Sequence, residues 1–282
     1  MIPLPGASTR LVALLGDPVS HSLSPTFQNA AFRAAGVDGV YLALRCGAAD
    51  FPSLLRAVAH AGGAGNVTLP HKEAAALAVD ARTDAVERTG ACNTFWLEDG
   101  RVRGDNTDVE GFAAAAESLL GVPARGLRVL LLGAGGAARG ALWALVRGGA
   151  AEVVVVNRTP ERAEELVRRF AGEGPRLRVV AGAEMLRGER FDLAVNATTL
   201  GLRDGDPLPL APEGGPEIGA GLDLVYAPGE TPWVRALRDA GTPAADGLEM
   251  LLRQGAAAFE RWWGVPAPLE AMRAVLPRRE AR

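Results

Sequence analysis

Residues 128–158 read RVLLLGAGGAARGALWALVRGGAAEVVVVNR, and this stretch organises the chain. Val129 to Leu132 is a short, wholly apolar run, the mark of a strand buried on both faces. Gly133-Ala134-Gly135-Gly136-Ala137-Ala138 follows at once. A helical pattern then runs to Gly148-Gly149, a pair suited to a helix C-terminus, and Val153 to Val156 is a second buried strand. The stretch is a βαβ unit with G-x-G-x-x-A in its first turn. In such a turn Gly133 allows the tight bend, Gly135 lets the backbone approach a pyrophosphate, and Ala138 lets helix and strand pack closely. The helix N-terminus brings unpaired N–H groups and the positive end of its dipole to the phosphates. A dinucleotide site is expected at Gly133, Ala134, Gly135, Gly136 and Ala137; a glycine-rich turn without a ligand is the structural alternative.

The tip of the second strand selects the dinucleotide. A site for NAD usually carries Asp or Glu there, to bind the ribose 2′-hydroxyl. This chain reads Asn157-Arg158-Thr159-Pro160-Glu161-Arg162, with no carboxylate at the tip. Arg158 can stack on adenine and bind a 2′-phosphate, and Asn157 and Thr159 can donate hydrogen bonds, so NADP is the expected cofactor. A bland role for Thr159 is to cap a helix that starts at Pro160.

A chain of 282 residues suits two domains. Net charge is −3, which gives no reason to expect nucleic acid or an acidic membrane as partner. There is no run of about twenty apolar residues, and Met1-Ile2-Pro3-Leu4-Pro5 lacks the basic and apolar parts of an export signal. Cys46 and Cys92 show no metal spacing and read as reduced thiols, and the three histidines are scattered, so no metal and a cytoplasmic location are expected. Lys72 is the only lysine of the chain; apart from the three histidines, every other basic residue is Arg. A lysine can lose its proton at accessible pH in suitable surroundings and an arginine cannot, which makes Lys72 the first candidate for proton transfer.

Along the chain, Leu11 to Leu15 reads as a strand and Ser24-Pro25 as the cap and first turn of a helix running to Ala35. Val40 to Leu44, Phe51 to His60 and Gly65 to Thr68 read as strand, helix and strand, and Lys72 sits near the start of the next helix. Phe95 to Leu97 and Arg101 to Arg103 form a hairpin around Asp99-Gly100. Asn106 or Thr107 can cap a helix over Val109 to Leu120. Beyond Arg158, a helix to Phe170 and strands over Leu177–Val180, Phe191–Val195 and Leu222–Tyr226 are expected. A long loop from Gly201 to Gly221, a helix over Pro232–Ala240 and an amphipathic helix from Gly247 complete the pattern. Ser22, Ser24, Thr68, Lys72, Asn93, Asp108 and Tyr226 all fall after strands or at turns, where a site is built.

Seven runs together resemble one family. They are Ser22-Leu23-Ser24-Pro25, Asn66-Val67-Thr68-Leu69-Pro70-His71-Lys72, Gly90-Ala91-Cys92-Asn93-Thr94, Gly104-Asp105-Asn106-Thr107-Asp108, Gly133 to Ala138, Asn157-Arg158-Thr159 and Gly247 to Gln254. In this order they are similar to the shikimate dehydrogenases, over nearly the whole chain. The N-V-T-x-P-x-K and D-N-T-D runs carry the specificity. The resemblance implies an α/β protein of two α/β domains: an N-terminal substrate domain over residues 1–107 with 244–282, and a Rossmann-type NADP domain over 108–243. It implies reversible, NADP-linked reduction of 3-dehydroshikimate to shikimate, with no nucleic acid or membrane partner, by a monomer or homodimer. By motif, Ser22 and Ser24 hold the substrate carboxylate, and Thr68, Asn93, Asp108 and Gln254 its hydroxyls. Tyr226 closes the site, and Lys72 is the acid/base, with Asp108 orienting its ammonium. Gly133 to Ala137 take the pyrophosphate and Asn157, Arg158, Thr159 and Arg162 the adenosine phosphate; Leu224 and Gly247 lie near the nicotinamide, and Asp84 matches an acidic position near the cofactor.

Two departures stand out: Val109-Glu110 follows D-N-T-D where many members have Gly, and Thr198-Thr199-Leu200 varies the loop after Asn196. Two other functions compete, a quinate/shikimate dehydrogenase of broader cofactor or substrate use and a non-catalytic NADP-binding sensor. Arg158 argues against the first and the Lys72–Asp108 pair against the second.

Overall fold

A computed structural model describes residues 5–203, 205–211, 213–227 and 229–277; Met1 to Leu4, part of the stretch read for an export signal, lie outside the described residues. The chain divides into two units. One holds the described residues up to Gly111 together with those from Leu251 onward, and the other holds Phe112–Met250.

The first unit runs β1 (Arg10–Gly16), α1 (Ser24–Ala35), β2 (Gly39–Arg45), α2 (Phe51–His60), β3 (Ala64–Val67), α3 (Lys72–Ala78), β4 (Ala81–Arg82), α4 (Asp84–Thr89), β5 (Thr94–Glu98) and β6 (Arg101–Asp105). Its sheet has the order β2-β1-β3-β5-β6-β4. β1 pairs in parallel with β2 and β3, whereas β5 runs antiparallel to β3 and β6. Side chains alternate across β1, as a strand's pleat requires. Val12 and Leu14 enter one apolar cluster with Phe27, Phe32, Tyr41, Trp96 and Phe259; Ala13 and Leu15 enter another with Phe51, Leu55, Val67 and Phe95. Each fully buried Leu, Val or Phe here stabilises the unit by roughly 1.5–3 kcal/mol.

The predicted cap at Ser24 does not form. Helix α1 already includes Ser24, Leu23 holds the cap position without a side-chain bond, and Ser22 Oγ accepts the Ser24 N–H at 3.2 Å. The orphan amide is thus satisfied from two residues upstream, which leaves the Ser24 hydroxyl uncommitted.

α5 (Asp108–Leu120) leads into the second unit, where β7 (Arg128–Leu132), α6 (Gly136–Gly148), β8 (Glu152–Val156), α7 (Pro160–Arg169) and β9 (Arg176–Val180) follow. Then come β10 (Arg190–Phe191), β11 (Leu193–Asn196), β12 (Glu217–Ile218), β13 (Gly221–Asp223), α8 (Pro232–Asp239) and β14 (Ala244–Ala245). α9 (Leu248–Trp263) and α10 (Leu269–Ala274) complete the chain. The six-stranded sheet has the order β14-β13-β11-β7-β8-β9 and every pairing in it is parallel. This is the doubly wound order whose switch point, between β7 and β11, opens at the carboxyl ends of the strands.

The structure departs from three further expectations. The strand expected over Phe191–Val195 is two strands in different sheets, β10 with β12 and β11 beside β7. Asp192 separates them, because its N–H donates to Arg128 O and its Oδ2 accepts the Arg128 N–H. The strand expected to reach Tyr226 ends at Asp223, where the carboxylate captures the Val225 N–H at 3.1 Å and turns the chain out of the ladder. Thr159 occupies the cap position of α7, but its side chain makes no capping bond.

Candidate active site

In the first unit the site begins at the end of β3. The chain leaves that strand at Thr68, whose N–H donates to Leu15 O at 2.9 Å, and His71 N donates back to Thr68 O at 3.0 Å. His71 is buried, stacks on Phe51 with ring centroids 4.5 Å apart, and has Nε2 2.8 Å from Cys46 O. This anchors the first turn of α3, and with it Lys72. The Lys72 Nζ donates to Asp108 Oδ2 at 2.5 Å, with the side chains 17% and 6% exposed. The pair is therefore largely removed from water.

Asn93 ties the rest together. Its Oδ1 accepts the Thr107 N–H at 2.8 Å, and its Nδ2 faces three acceptors: Asp108 Oδ1 at 2.9 Å, Thr107 Oγ1 at 3.0 Å and Gln254 Oε1 at 3.2 Å. Two N–H protons are shared among three acceptors, and the bond from Thr107 N to Oδ1 holds the Asp108 turn in place. Behind it, Tyr41 OH donates to Asn66 Oδ1 at 2.9 Å and Asn66 Nδ2 donates to Asn93 O at 3.1 Å. The sequence reading did not single out Tyr41, Asn66 or His71; the N-V-T-x-P-x-K run contains two of them, and only pairing across the sheet brings Tyr41 in. Lys72, Asn93, Asp108 and Gln254 are thus joined by hydrogen bonds. The Ser24 and Thr68 hydroxyls have no partner among the described residues. The neighbouring Cys92 thiol is pushed up to about 12 by complete burial, so it is no nucleophile.

Asp84 opens α4, is exposed, and stands 3.6 Å from Arg88 Nε. Glu110 lies in the first turn of α5 and binds Arg261 Nη2 at 2.6 Å.

In the second unit, Leu132, Asn196, Asp223 and Val156 end adjacent strands in register. Gly133 has φ +113°, and a side chain there would stand 2.8 Å from Ala197 O, so only glycine fits. Gly135 is exposed, with nothing within 4 Å of where a Cβ would be, and no side chain caps α6 behind it. The turn therefore offers open backbone and uncapped N–H groups, which fit a pyrophosphate. Arg158 is exposed and has no partner among the described residues; Asn157 Nδ2 donates to Thr159 O at 2.8 Å. Arg162 is also exposed. Leu224 and Tyr226 are half-buried in the loop after β13. A Cβ on Gly247 would meet Leu224 O at 2.4 Å, so the start of α9 can close on that loop only through a glycine.

Asp223, which the sequence reading passed over, is wholly buried there. It accepts from Asn196 Nδ2 at 2.8 Å and Thr231 Oγ1 at 2.7 Å, and burial pushes its carboxyl up to about 6. Asn196 Oδ1 in turn holds Thr198 through its N–H at 3.0 Å and its hydroxyl at 2.7 Å, so the varied Thr198–Leu200 loop is anchored to Asp223.

Among the described residues no group of three or more His, Cys, Asp or Glu side chains is placed to hold a metal, and no helix is long and apolar enough to cross a membrane.

A doubly wound unit with an open phosphate turn, and a unit presenting a lysine–carboxylate pair among hydrogen-bonded amides, define the class of nicotinamide-dependent oxidoreductases. Comparison with known proteins gives the family. Residues 14–95 match the shikimate dehydrogenase substrate binding domain, 114–199 match shikimate / quinate 5-dehydrogenase, and 247–276 match the shikimate 5′-dehydrogenase C-terminal domain. The chain is 44% identical over 276 residues to a shikimate dehydrogenase (NADP(+)) of Moorella thermoacetica, covering 96% of this chain and 93% of that one. It superposes on the Aquifex aeolicus shikimate dehydrogenase with a TM-score of 0.88 at 34% identity, covering 96% and 99% of the two chains. It superposes on shikimate 5-dehydrogenase of Thermus thermophilus, solved with NADP(H) and shikimate, with a TM-score of 0.83 at 40% identity, covering 95% and 100%. The chain belongs to the shikimate dehydrogenase family.

Proposed function

We propose that this protein catalyses the reversible, NADP-linked interconversion of shikimate and 3-dehydroshikimate, a step of aromatic amino-acid biosynthesis. The observation that carries this reading is the Lys72–Asp108 pair at 2.5 Å within the Asn93–Gln254 network. Bound NADP supplies hydride transfer. Lys72 takes the hydroxyl proton when shikimate is oxidised and returns it in the reverse direction, and Asp108 orients the amine. Thr68, Asn93, Asp108 and Gln254 hold the substrate hydroxyls. Ser22 and Ser24, at the start of α1, hold its carboxylate, and Tyr226 closes the site.

Gly133, Ala134, Gly135, Gly136 and Ala137 hold the cofactor pyrophosphate, and Arg158, with Asn157, Thr159 and Arg162, holds the 2′-phosphate. Leu224 and Gly247 flank the nicotinamide. Asp84 is assigned to the cofactor on the sequence resemblance alone. The substrate domain is then residues 1–107 with 244–282 and the NADP domain 108–243. We place the enzyme in the cytoplasm, as monomer or homodimer; its two buried free thiols are in keeping with a reducing compartment.

The test is absorbance at the nicotinamide band with shikimate or quinate and NADP or NAD. Reduction of NADP with shikimate, much exceeding the other three combinations, supports the reading. Preference for quinate or NAD, or no turnover at all, refutes it.

A further inference from the structure

The turn Asn106-Thr107-Asp108 is flanked by two carboxylates, Asp105 at the end of β6 and Glu110 in the first turn of α5. One guanidinium reaches both: Arg261 Nε donates to Asp105 Oδ2 at 3.0 Å and Nη2 to Glu110 Oε1 at 2.6 Å. Asp105 is 5% exposed, and its Oδ1 accepts from Thr83 Oγ1 at 2.5 Å and Asn106 N at 2.7 Å. Arg261 is therefore the cation that compensates a buried carboxylate whose neighbours along the chain, Asp108 and Glu110, are also acidic. Arg261 stands seven residues after Gln254 on α9, two helical turns on, so the two share a face of that helix. The same face thus delivers Gln254 Oε1 to Asn93 and the guanidinium to both shoulders of the turn that carries Asp108.

We propose that Arg261 is a positioning residue of the reaction: it clamps the Asp108 turn from both sides, and so fixes the carboxylate that holds Lys72 and the substrate. The proposal rests on the shikimate dehydrogenase reading of the site. The hydrogen bonds of Arg261 go to Asp105 and Glu110, not to Lys72 or Asp108. Its effect passes through Asp105 and Glu110, and small displacements of a positioned group cost a large share of rate.

The experiment is steady-state oxidation of shikimate by NADP in wild type, Arg261→Met, Arg261→Lys, Glu110→Gln and the Arg261→Met/Glu110→Gln double variant. In Arg261→Met, kcat/KM for shikimate falls about ten- to a hundredfold with a raised KM for shikimate, while KM for NADP holds within about twofold. Arg261→Lys, which keeps the charge and one contact, recovers much of the loss, and the double variant is no worse than Arg261→Met. A folded Arg261→Met within about twofold of wild type overturns the proposal, as does a fall in kcat with KM for shikimate unchanged, the signature of a smaller folded fraction. Independent, additive losses in the double variant overturn it too. If Arg261→Met does not fold, exposed Glu110 decides: Glu110→Gln lowering kcat/KM about threefold or more supports the clamp, and no change overturns it. A wild type that oxidises no shikimate refutes the functional reading instead, and the clamp with it.

Discussion

Lys72 Nζ and Asp108 Oδ2 lie 2.5 Å apart although 36 residues separate them, with Lys72 on the first turn of α3 and Asp108 on the first turn of α5. The pair exists because β3 and β6 both bond to β5, which brings the strand ends that carry α3 and α5 to one place. Asn93, at the entry to β5, then bonds to the Asp108 turn.

The proposed recognition of the 2′-phosphate rests on Arg158, which is exposed and has no partner among the described residues. A charge-assisted hydrogen bond contributes roughly 1.5–3 kcal/mol, or about ten- to a hundredfold in affinity. Arg158→Ala should weaken NADP by that factor and leave NAD nearly unchanged, as read by cofactor titration. Equal weakening of both would show that Arg158 does not read the 2′-phosphate.

Ser24 offers the cleaner probe of the carboxylate site. Its hydroxyl caps no helix, whereas Ser22 Oγ holds the Ser24 N–H and its loss would cost stability of about 1 kcal/mol. Ser24→Ala should raise KM for shikimate more than it lowers kcat, because the carboxylate is remote from the reacting carbon. An analogue lacking the carboxylate should bind wild type and Ser24→Ala alike; a difference as large as that for shikimate would remove the assignment.

Asp223 should make stability depend on pH. An unfolded Asp titrates near about 3.9, and burial raises Asp223 to about 6 in the folded chain. The folded state holds the proton more tightly, so this contribution is complete below about pH 4 and is lost as pH rises through about 6. Asp223→Asn keeps an acceptor for Asn196 and Val225 and presents an amide to Thr231, which can turn to accept it. The difference in unfolding free energy between variant and wild type should therefore change across that window in favour of the variant. A difference independent of pH would mean that Asp223 does not titrate there.

Much of this was legible in the sequence because local patterns carried it. The βαβ unit around Gly133 is a pattern of apolar runs and glycines, and Lys72 and Asp108 stand in short runs of polar residues at strand ends. What stayed hidden depends on distant partners. Arg261 meets Asp105 across 156 residues, and Tyr41 reaches Asn66 only through the sheet. Asp223 reads as an inner residue of a strand over Leu222–Tyr226 until Asn196 and Thr231 close around it. The split at Asp192 was invisible because β10 and β12 are two residues each, too short for any periodicity.

Proton transfer by Lys72 is tested most directly by the turnover of Lys72→Arg at saturating shikimate and NADP. Arginine supplies the charge and can still bind Asp108, but stays protonated at any working pH. Turnover should fall roughly 10²–10⁴-fold, the span of general acid–base catalysis, with NADP affinity unchanged. Turnover within about threefold of wild type would remove Lys72 as the acid/base and leave it a binding residue.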